Sequence, residues 1–384
     1  MKDFKFDQNF EDELINIRRH LHQYPETAFE EYKTAAFIER KLKSYGLKVY
    51  NKIAKTGVIG ELKNGDGPSI AFRADMDGLD IEELNTFSYK SRNQGKMHAC
   101  GHDGHMTMLL GTAKYLSSNK NFKGTIYFIF QPAEENEGGA ELMIKDKFFK
   151  KNKINSIFAM HNWPSLKTGK IGIKHGPIMA GYDRFEIILK GKGTHAAMPF
   201  KGNDLFLNSS EIIILLQNGM SRLNHLKPAV LSVTGIKAPE SWNILPETIT
   251  IKGTVRCFED SQRDKIKSMM LKIIKSISQK DNIQYEFEYI IKYPVTVNSI
   301  NETDIAINCF KEIFLSKNIL TNIEPSMGSE DFSFLLQKIP GCYFFIGSGP
   351  ARYGLHNPKY DFNDKILLTG VKTFINLAEN SLKF

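Results

Sequence analysis

Residues 97–105 read Met-His-Ala-Cys-Gly-His-Asp-Gly-His and hold three of the ten histidines, one of the four cysteines and an aspartate. Cys100 and His102 are separated only by Gly101. A thiolate and an imidazole at that spacing reach one metal ion if the backbone between them bends, and Gly101 and Gly104 permit bends. Borderline transition ions prefer such ligands. The plain alternative is a polar loop of solvated histidines, and the crowding of histidine into this stretch argues against it.

Further candidates lie along the chain. His161 and His356 offer nitrogen, and Asp75, Asp77, Asp103, Glu134 and Glu135 offer oxygen. More than four candidates suit two ions better than one. A pair roughly 3.5–4 Å apart suits hydrolysis, and a cysteine thiolate can bridge it. Neighbouring side chains point in different directions, so one carboxylate of Glu134-Glu135 can bind metal while the other faces water as general base and later as acid to a leaving amine. A Glu-Glu pair alone is usually a solvated surface feature. Here it follows an apolar run and Gln131-Pro132-Ala133 and precedes two glycines, which makes it a site candidate. A lone His161 or His356 is more often structural than a ligand. Cys100 as a nucleophile would need a histidine base and an orienting group, and the many carboxylates favour metal.

These residues need elements to position them. Helical spacing predicts helices over 11–24 and 30–45, the first stopped by Pro25. Strand-like runs cover 48–50, 58–62 and 69–73, the last leading into Asp75 and Asp77. A helix is expected over about 106–116. The continuous apolar run 124–130 reads as a central strand covered on both faces and ends at Glu134-Glu135. Another strand, 156–160, ends at His161. Delivery of chemistry at successive strand ends is the arrangement of open α/β sheets. From Tyr182 the pattern changes: strand 184–189, helix 204–223, strands 230–234 and 248–257, helix 261–279 and strand 284–291 give the order β-α-β-β-α-β. Helix 304–314, strand 343–346 and helix 365–382 return to the first character. The expected organisation is a discontinuous catalytic domain, 1–181 and 295–384, with an inserted domain at 182–294.

A chain of 384 residues exceeds what one core usually supports. Its 41% hydrophobic and 24% charged content is that of a globular protein. No apolar run reaches the roughly 18 residues of a membrane span. The first residues lack an apolar signal segment, and four widely spaced cysteines do not form a disulfide framework. A cytoplasmic location is expected. The net charge of +8 raises the question of nucleic acid. Scattered lysines without interleaved aromatics argue against it, although a basic surface suits anionic small substrates.

The motifs Arg73-Ala74-Asp75-Met76-Asp77, Met97-His98-Ala99-Cys100-Gly101-His102-Asp103, Phe130-Gln131-Pro132-Ala133-Glu134-Glu135, Met160-His161, Gly193-Thr194-His195-Ala196-Ala197-Met198-Pro199, Ser329-Glu330-Asp331-Phe332 and Leu355-His356-Asn357 resemble the metal-dependent amidohydrolases. That branch contains hippurate hydrolase, N-acyl-amino-acid amidohydrolases, thermostable carboxypeptidases, plant indole-acetyl-amino-acid hydrolases and N-acetyldiaminopimelate deacetylase. The resemblance runs from about Ile17 to the end. It implies an α/β fold, a central mixed sheet flanked by helices (zinc-exopeptidase-like), with a ferredoxin-like β-α-β-β-α-β lid. It further implies two divalent ions (manganese, zinc, cobalt or nickel) on Cys100, His102, Glu135, His161 and His356, with Glu134 as catalytic acid/base. By the same resemblance His195 stabilises the oxyanion, in related enzymes from the partner subunit, and Asn243 and Arg256 hold a substrate carboxylate. The implied activity is hydrolysis of N-acyl amino acids by a homodimer or homotetramer joined through the lid. N-acetyldiaminopimelate deacetylase is an alternative activity, and a non-catalytic metal- or peptide-binding protein on the same scaffold an alternative of another class. The chain departs from the family at Asn136-Glu137-Gly138-Gly139 and at Ala197, which touches specificity rather than the expected ligands.

Overall fold

The computed structural model describes residues 2, 4–135, 137–223 and 228–383. Asn136, one of the departures above, lies outside them. The described chain forms two compact units, one of residues 1–178, 297–324 and 331–384, the other of residues 179–296 and 325–330.

The first unit is a mixed sheet with helices. Helices α1 (Gln8–Gln23) and α2 (Tyr32–Ser44) precede strands β1 (Lys48–Ile53), β2 (Gly57–Asn64) and β3 (Ser69–Asp75). Helix α3 (His102–Ser118), strand β4 (Gly124–Gln131) and strand β5 (Ser156–Lys167) follow. The sheet order is β1-β2-β4-β3-β5, then Gly341–Gly349, Ile171–Gly172 and Ile319–Leu320. β3 runs parallel to β4 on one side and to β5 on the other, and Gly341–Gly349 lies parallel to β5. Every residue of β3 is buried, as expected of a strand covered on both faces. Its Phe72 ring meets Phe128, Phe158 and Phe374 at centroid distances of 4.8–6.4 Å. Because β3, β4 and β5 are parallel, their carboxyl ends share one edge of the sheet. That edge receives Asp75, Gln131 with the turn after it, and His161.

Two expectations shift. The helix expected from about 106 begins at His102, because the polar residues 102–105 fill its first turn without any apolar periodicity. β5 continues to Lys167, so His161 lies within the strand. Its pairing with β3 stops at Ala159 while Gly341–Gly349 continues beside it.

The second unit is a four-stranded antiparallel sheet with two long helices. Strands Ala229–Lys237, Thr248–Cys257, Gly181–Lys190 and Gln284–Tyr293 lie side by side in that order. Residues 249, 251, 253, 255 and 257 of the second strand are buried while 248, 250, 252, 254 and 256 are not, the alternation of a sheet with one covered face. Helix Asp260–Lys280 turns Ile266, Met270, Ile274 and Ile277 inward, a spacing that makes one apolar stripe. They pack with Ile212 and Leu216 of helix Leu205–Leu223 and with Ile187, Leu189, Ile249 and Ile251 of the sheet. The fold is thus an α/β mixed sheet flanked by helices carrying a β-α-β-β-α-β insertion. No helix among the described residues is long and apolar enough to cross a membrane.

Candidate active site

The start of α3 sets the metal-loop geometry. Gly101 has φ +97°, and a Cβ there would lie 2.2 Å from Asn162 Oδ1, so only glycine fits the turn. Gly104 has a different reason. It sits inside the helix, and a Cβ would meet the Phe362 ring at 2.2 Å; its lack of a side chain admits close packing, not the bend its position suggested. Asp103 anchors the first turn: its Oδ1 accepts the Gly104 N–H at 3.0 Å and its Oδ2 accepts from His22 Nδ1 at 2.8 Å. Behind it, Arg18 of α1 makes a two-pronged contact with Asp364, 2.7 Å from Nε and 3.0 Å from Nη2. Burial pulls the His22 imidazole down, but Asp103 and Glu83 outweigh it and raise its pKa to about 9.

Five predicted donors come together on this edge. Cys100 Sγ lies 3.4 Å from His161 Nε2. His161 Nδ1 donates to its neighbour Asn162's carbonyl oxygen at 2.7 Å, and His102 Nδ1 donates to the carbonyl oxygen of Asp77 at 2.8 Å. Nδ1 of each ring is thereby taken by a backbone carbonyl, which leaves Nε2 as the position available to a ligand. His356 Nε2 stands 3.1 Å from Glu135 Oε1. Its backbone, at φ +62°, is tied by N–H to the carbonyl oxygen of Ala99 at 2.8 Å. The donor atoms of Cys100, His102 and His161 lie within 4.8 Å of one another, as do those of Cys100, Glu135 and His356. The two sets share the Cys100 sulfur. A third set joins His102 to Glu134 and Glu135.

This site suits cations. His102 Nε2 and Glu135 Oε1 are buried without a hydrogen bond; Glu135 Oε1 has only the His356 ring beside it, and a cation would satisfy both atoms. The donors (one thiolate, three imidazoles, one carboxylate) are those of borderline divalent ions. Burial and the Glu135, Glu134 and Asp75 carboxylates push the Cys100 thiol well up. Burial lowers His102, but Asp75 and Asp77 outweigh it and raise the ring to about 10. Excess negative charge thus surrounds these donors.

The glutamate turn is clamped on both sides. Asp331 accepts from Gln131 Nε2 at 2.7 Å, from the Ala140 N–H at 2.9 Å and from Arg73 Nη2 at 3.0 Å. The Glu135 N–H donates to Asp77 Oδ2 at 2.9 Å. Asp75 accepts from Arg73 Nη1 and His105 Nδ1, each at 2.7 Å. Buried Glu134 leaves the middle of this turn.

In the second unit, His195 lies on the short strand Thr194–His195, paired with Ile244–Leu245. The Ala196 N–H donates to the Asn243 carbonyl oxygen at 2.9 Å, which brings His195 and Asn243 together in an exposed corner. Arg256 stands on another strand. Its Nη1 donates to Ser329 Oγ at 2.5 Å, and its guanidinium lies 3.9 Å from the Tyr182 ring centroid.

Sequence reasoning did not find Glu31, Arg18 or His22 as parts of the site's frame. Arg18 fell on the apolar spacing of α1, and nothing local distinguishes a buried, paired arginine from a neighbour of the stripe. Asp331 stood within a recognised motif, and Asn162 directly after one, without a role. Asn162 now bridges His105 Nε2 at 2.7 Å and the Tyr360 hydroxyl at 2.8 Å.

A mixed sheet whose parallel strand ends gather a cysteine sulfur, imidazoles and a paired glutamate is the arrangement of a metal-dependent hydrolase. The chain belongs to Peptidase family M20/M25/M40, matched over residues 71–380. It is 39% identical to hippurate hydrolase of Campylobacter jejuni over 373 residues, 97% of each chain. It is 37% identical to N-acetylcysteine deacetylase of Bacillus subtilis over 377 residues, again 97% of each. The crystal structure of the YxeP protein of Bacillus subtilis, described as a dinuclear metal binding peptidase, matches with a TM-score of 0.86 and 35% identity, covering 98% of this chain and 99% of that one.

Proposed function

We propose that this enzyme hydrolyses the amide of N-acyl amino acids, releasing a carboxylic acid and the free amino acid. The observation that carries the reading is the pair of donor sets sharing Cys100, with Glu134 beside them. Cys100, His102, Glu135, His161 and His356 are assigned as ligands of two divalent ions. When bound, these ions supply Lewis-acid activation of water and of the scissile carbonyl.

The chain's own residues do the rest. Glu134 takes a proton from the attacking water and delivers it to the leaving nitrogen as the C–N bond breaks. His195 donates to the developing oxyanion, by the family resemblance from the partner subunit. Arg256 and Asn243 hold the substrate carboxylate, and a charge-assisted pair selects substrates that carry one. The relatives' names support the substrate class: one hydrolyses hippurate and another deacetylates N-acetylcysteine. Assembly through the second unit is part of the reading. Its edge strand Ala229–Lys237 exposes Val230 and Ile236, and helix Leu205–Leu223 exposes Leu207 and Ile214. Sedimentation that finds a fully active monomer overturns that part.

The test is a substrate panel of hippurate, N-acetyl-L-cysteine and other N-acyl amino acids, assayed after chelation and reloading with Mn²⁺, Zn²⁺, Co²⁺ or Ni²⁺. Turnover that returns with metal supports the reading. No hydrolysis of any panel member by fully loaded protein refutes it.

A further inference from the structure

Glu31 precedes α2 and is 0% exposed. Its carboxylate takes two hydrogen bonds: Thr56 Oγ1 donates to Oε2 at 2.6 Å, and the Ala133 N–H donates to Oε1 at 2.9 Å. Burial and the nearby Asp77 push its pKa up to about 7, so keeping a carboxylate there costs stability.

Ala133 is the residue before Glu134. It is fully buried and has φ +54°. A non-glycine residue in the left-handed region is strained and persists only where its surroundings over-determine it. Its carbonyl oxygen accepts the Gly139 N–H at 2.9 Å, which closes the turn. A Cβ on Gly139 would meet the Pro132 carbonyl oxygen at 1.8 Å, so Gly139 packs directly on the residue before Ala133. The Ala133 N–H is held as well, by Glu31 Oε1.

We propose that Glu31 is a positioning residue for the proton-transferring glutamate. By accepting the Ala133 N–H it fixes the left-handed conformation of Ala133 and so the direction in which Glu134 leaves the turn. Glu31 does not touch the reacting atoms. The inference rests on the assignment of Glu134 as acid/base.

The test compares Glu31→Leu, Glu31→Asp and Glu31→Gln in full-length, metal-loaded enzyme. Leucine removes the acceptor. Aspartate keeps the charge but is one methylene too short to reach the Ala133 N–H. Either lowers kcat by about 30-fold, because a buried N–H loses its partner in the turn that aims Glu134. KM stays within about twofold and metal content is unchanged, since no ligand or substrate contact is altered. Glutamine stays within about threefold of wild type, because its amide oxygen still accepts from Ala133 and the Thr56 hydroxyl can turn to accept from the amide. Glu31→Gln does not lower the melting temperature at pH 8, since it removes a buried charge. Adding Ala133→Gly to Glu31→Leu restores part of kcat, as glycine adopts the left-handed region without support.

If Glu31→Leu does not fold, Glu31→Asp carries the test alone. Wild-type kcat in the soluble variants overturns the inference, and so does a kcat loss that follows loss of metal. Glu134→Gln, run in parallel, separates the two readings. An inactive Glu134→Gln beside fully active Glu31 variants sinks only this inference, whereas an active Glu134→Gln sinks the acid/base assignment itself.

Discussion

Gly101→Ala perturbs the site at its narrowest point. The backbone there has φ +97° and ψ 15°, a conformation that costs an L-residue about 1–2 kcal/mol. The new Cβ would lie 2.2 Å from Asn162 Oδ1, 2.9 Å from its Cγ and 3.0 Å from the Tyr360 hydroxyl. Asn162 cannot step aside freely, because it is hydrogen-bonded to His105 at 2.7 Å and to Tyr360 at 2.8 Å. Giving up those two bonds costs about 0.5–1.5 kcal/mol each, so with the backbone cost the total is about 2–5 kcal/mol. The loop relieves that strain by moving, and Cys100 and His102 flank the substituted residue. Part of the strain therefore appears as lost metal affinity. A loss of about 100-fold in competition against a chelator is expected, together with a lower melting temperature, since about 1.4 kcal/mol is tenfold in affinity. Gly95→Ala is the control. Gly95 has φ +72° with nothing within 4 Å of its Cβ position, so it bears the backbone cost without a clash and leaves metal affinity intact. Wild-type metal affinity in Gly101→Ala would refute the reasoning.

The folded-state pKa of His22 is raised from 6.5 to about 9, so its contribution is fully present below pH 6.5 and is lost as pH rises through about 9. The difference is about 3 kcal/mol, so His22→Phe flattens the alkaline side of a stability–pH profile measured by urea unfolding; an unchanged profile contradicts the pairing with Asp103. Arg256→Gln removes the charged donor assigned to the substrate carboxylate and lowers kcat/KM for N-acyl amino acids by about 10–100-fold, the range of a hydrogen bond to a charged group. The same substitution has little effect on the matching N-acyl amino acid amides, which lack the carboxylate; equal loss on both substrate types contradicts the assignment.

The fold was legible wherever burial wrote itself as periodicity. The apolar run at 124–130 became β4 between two sheet neighbours, and the alternation of 248–257 became the middle of the second unit's sheet. The start of α3 was not legible, because His102 and Asp103 face the site and their own pairing, not the core, so no stripe announces the first turn. The end of β5 was hidden for a related reason: His161 interrupts an apolar run while the backbone continues beside Gly341–Gly349. For the site, residue types and motifs pointed to Cys100, His102, Glu135, His161 and His356, whose donor atoms the fold gathers at one edge. Glu31, Arg18 and His22 were invisible because their partners lie 102, 346 and 81 residues away along the chain. Only the packing of α1 and α2 on the sheet makes those pairs.

Metal-dependent hydrolysis with Glu134 moving the proton is checked by measuring metal content and turnover together in wild type and Glu134→Gln, each stripped with a chelator and reloaded. The expected result is equal metal content, recovery of turnover in the wild type alone, and a loss of about 10²–10⁴-fold in kcat for the variant, the range of general acid–base catalysis. Turnover that survives chelation, or a reloaded Glu134→Gln enzyme as fast as wild type, would contradict it.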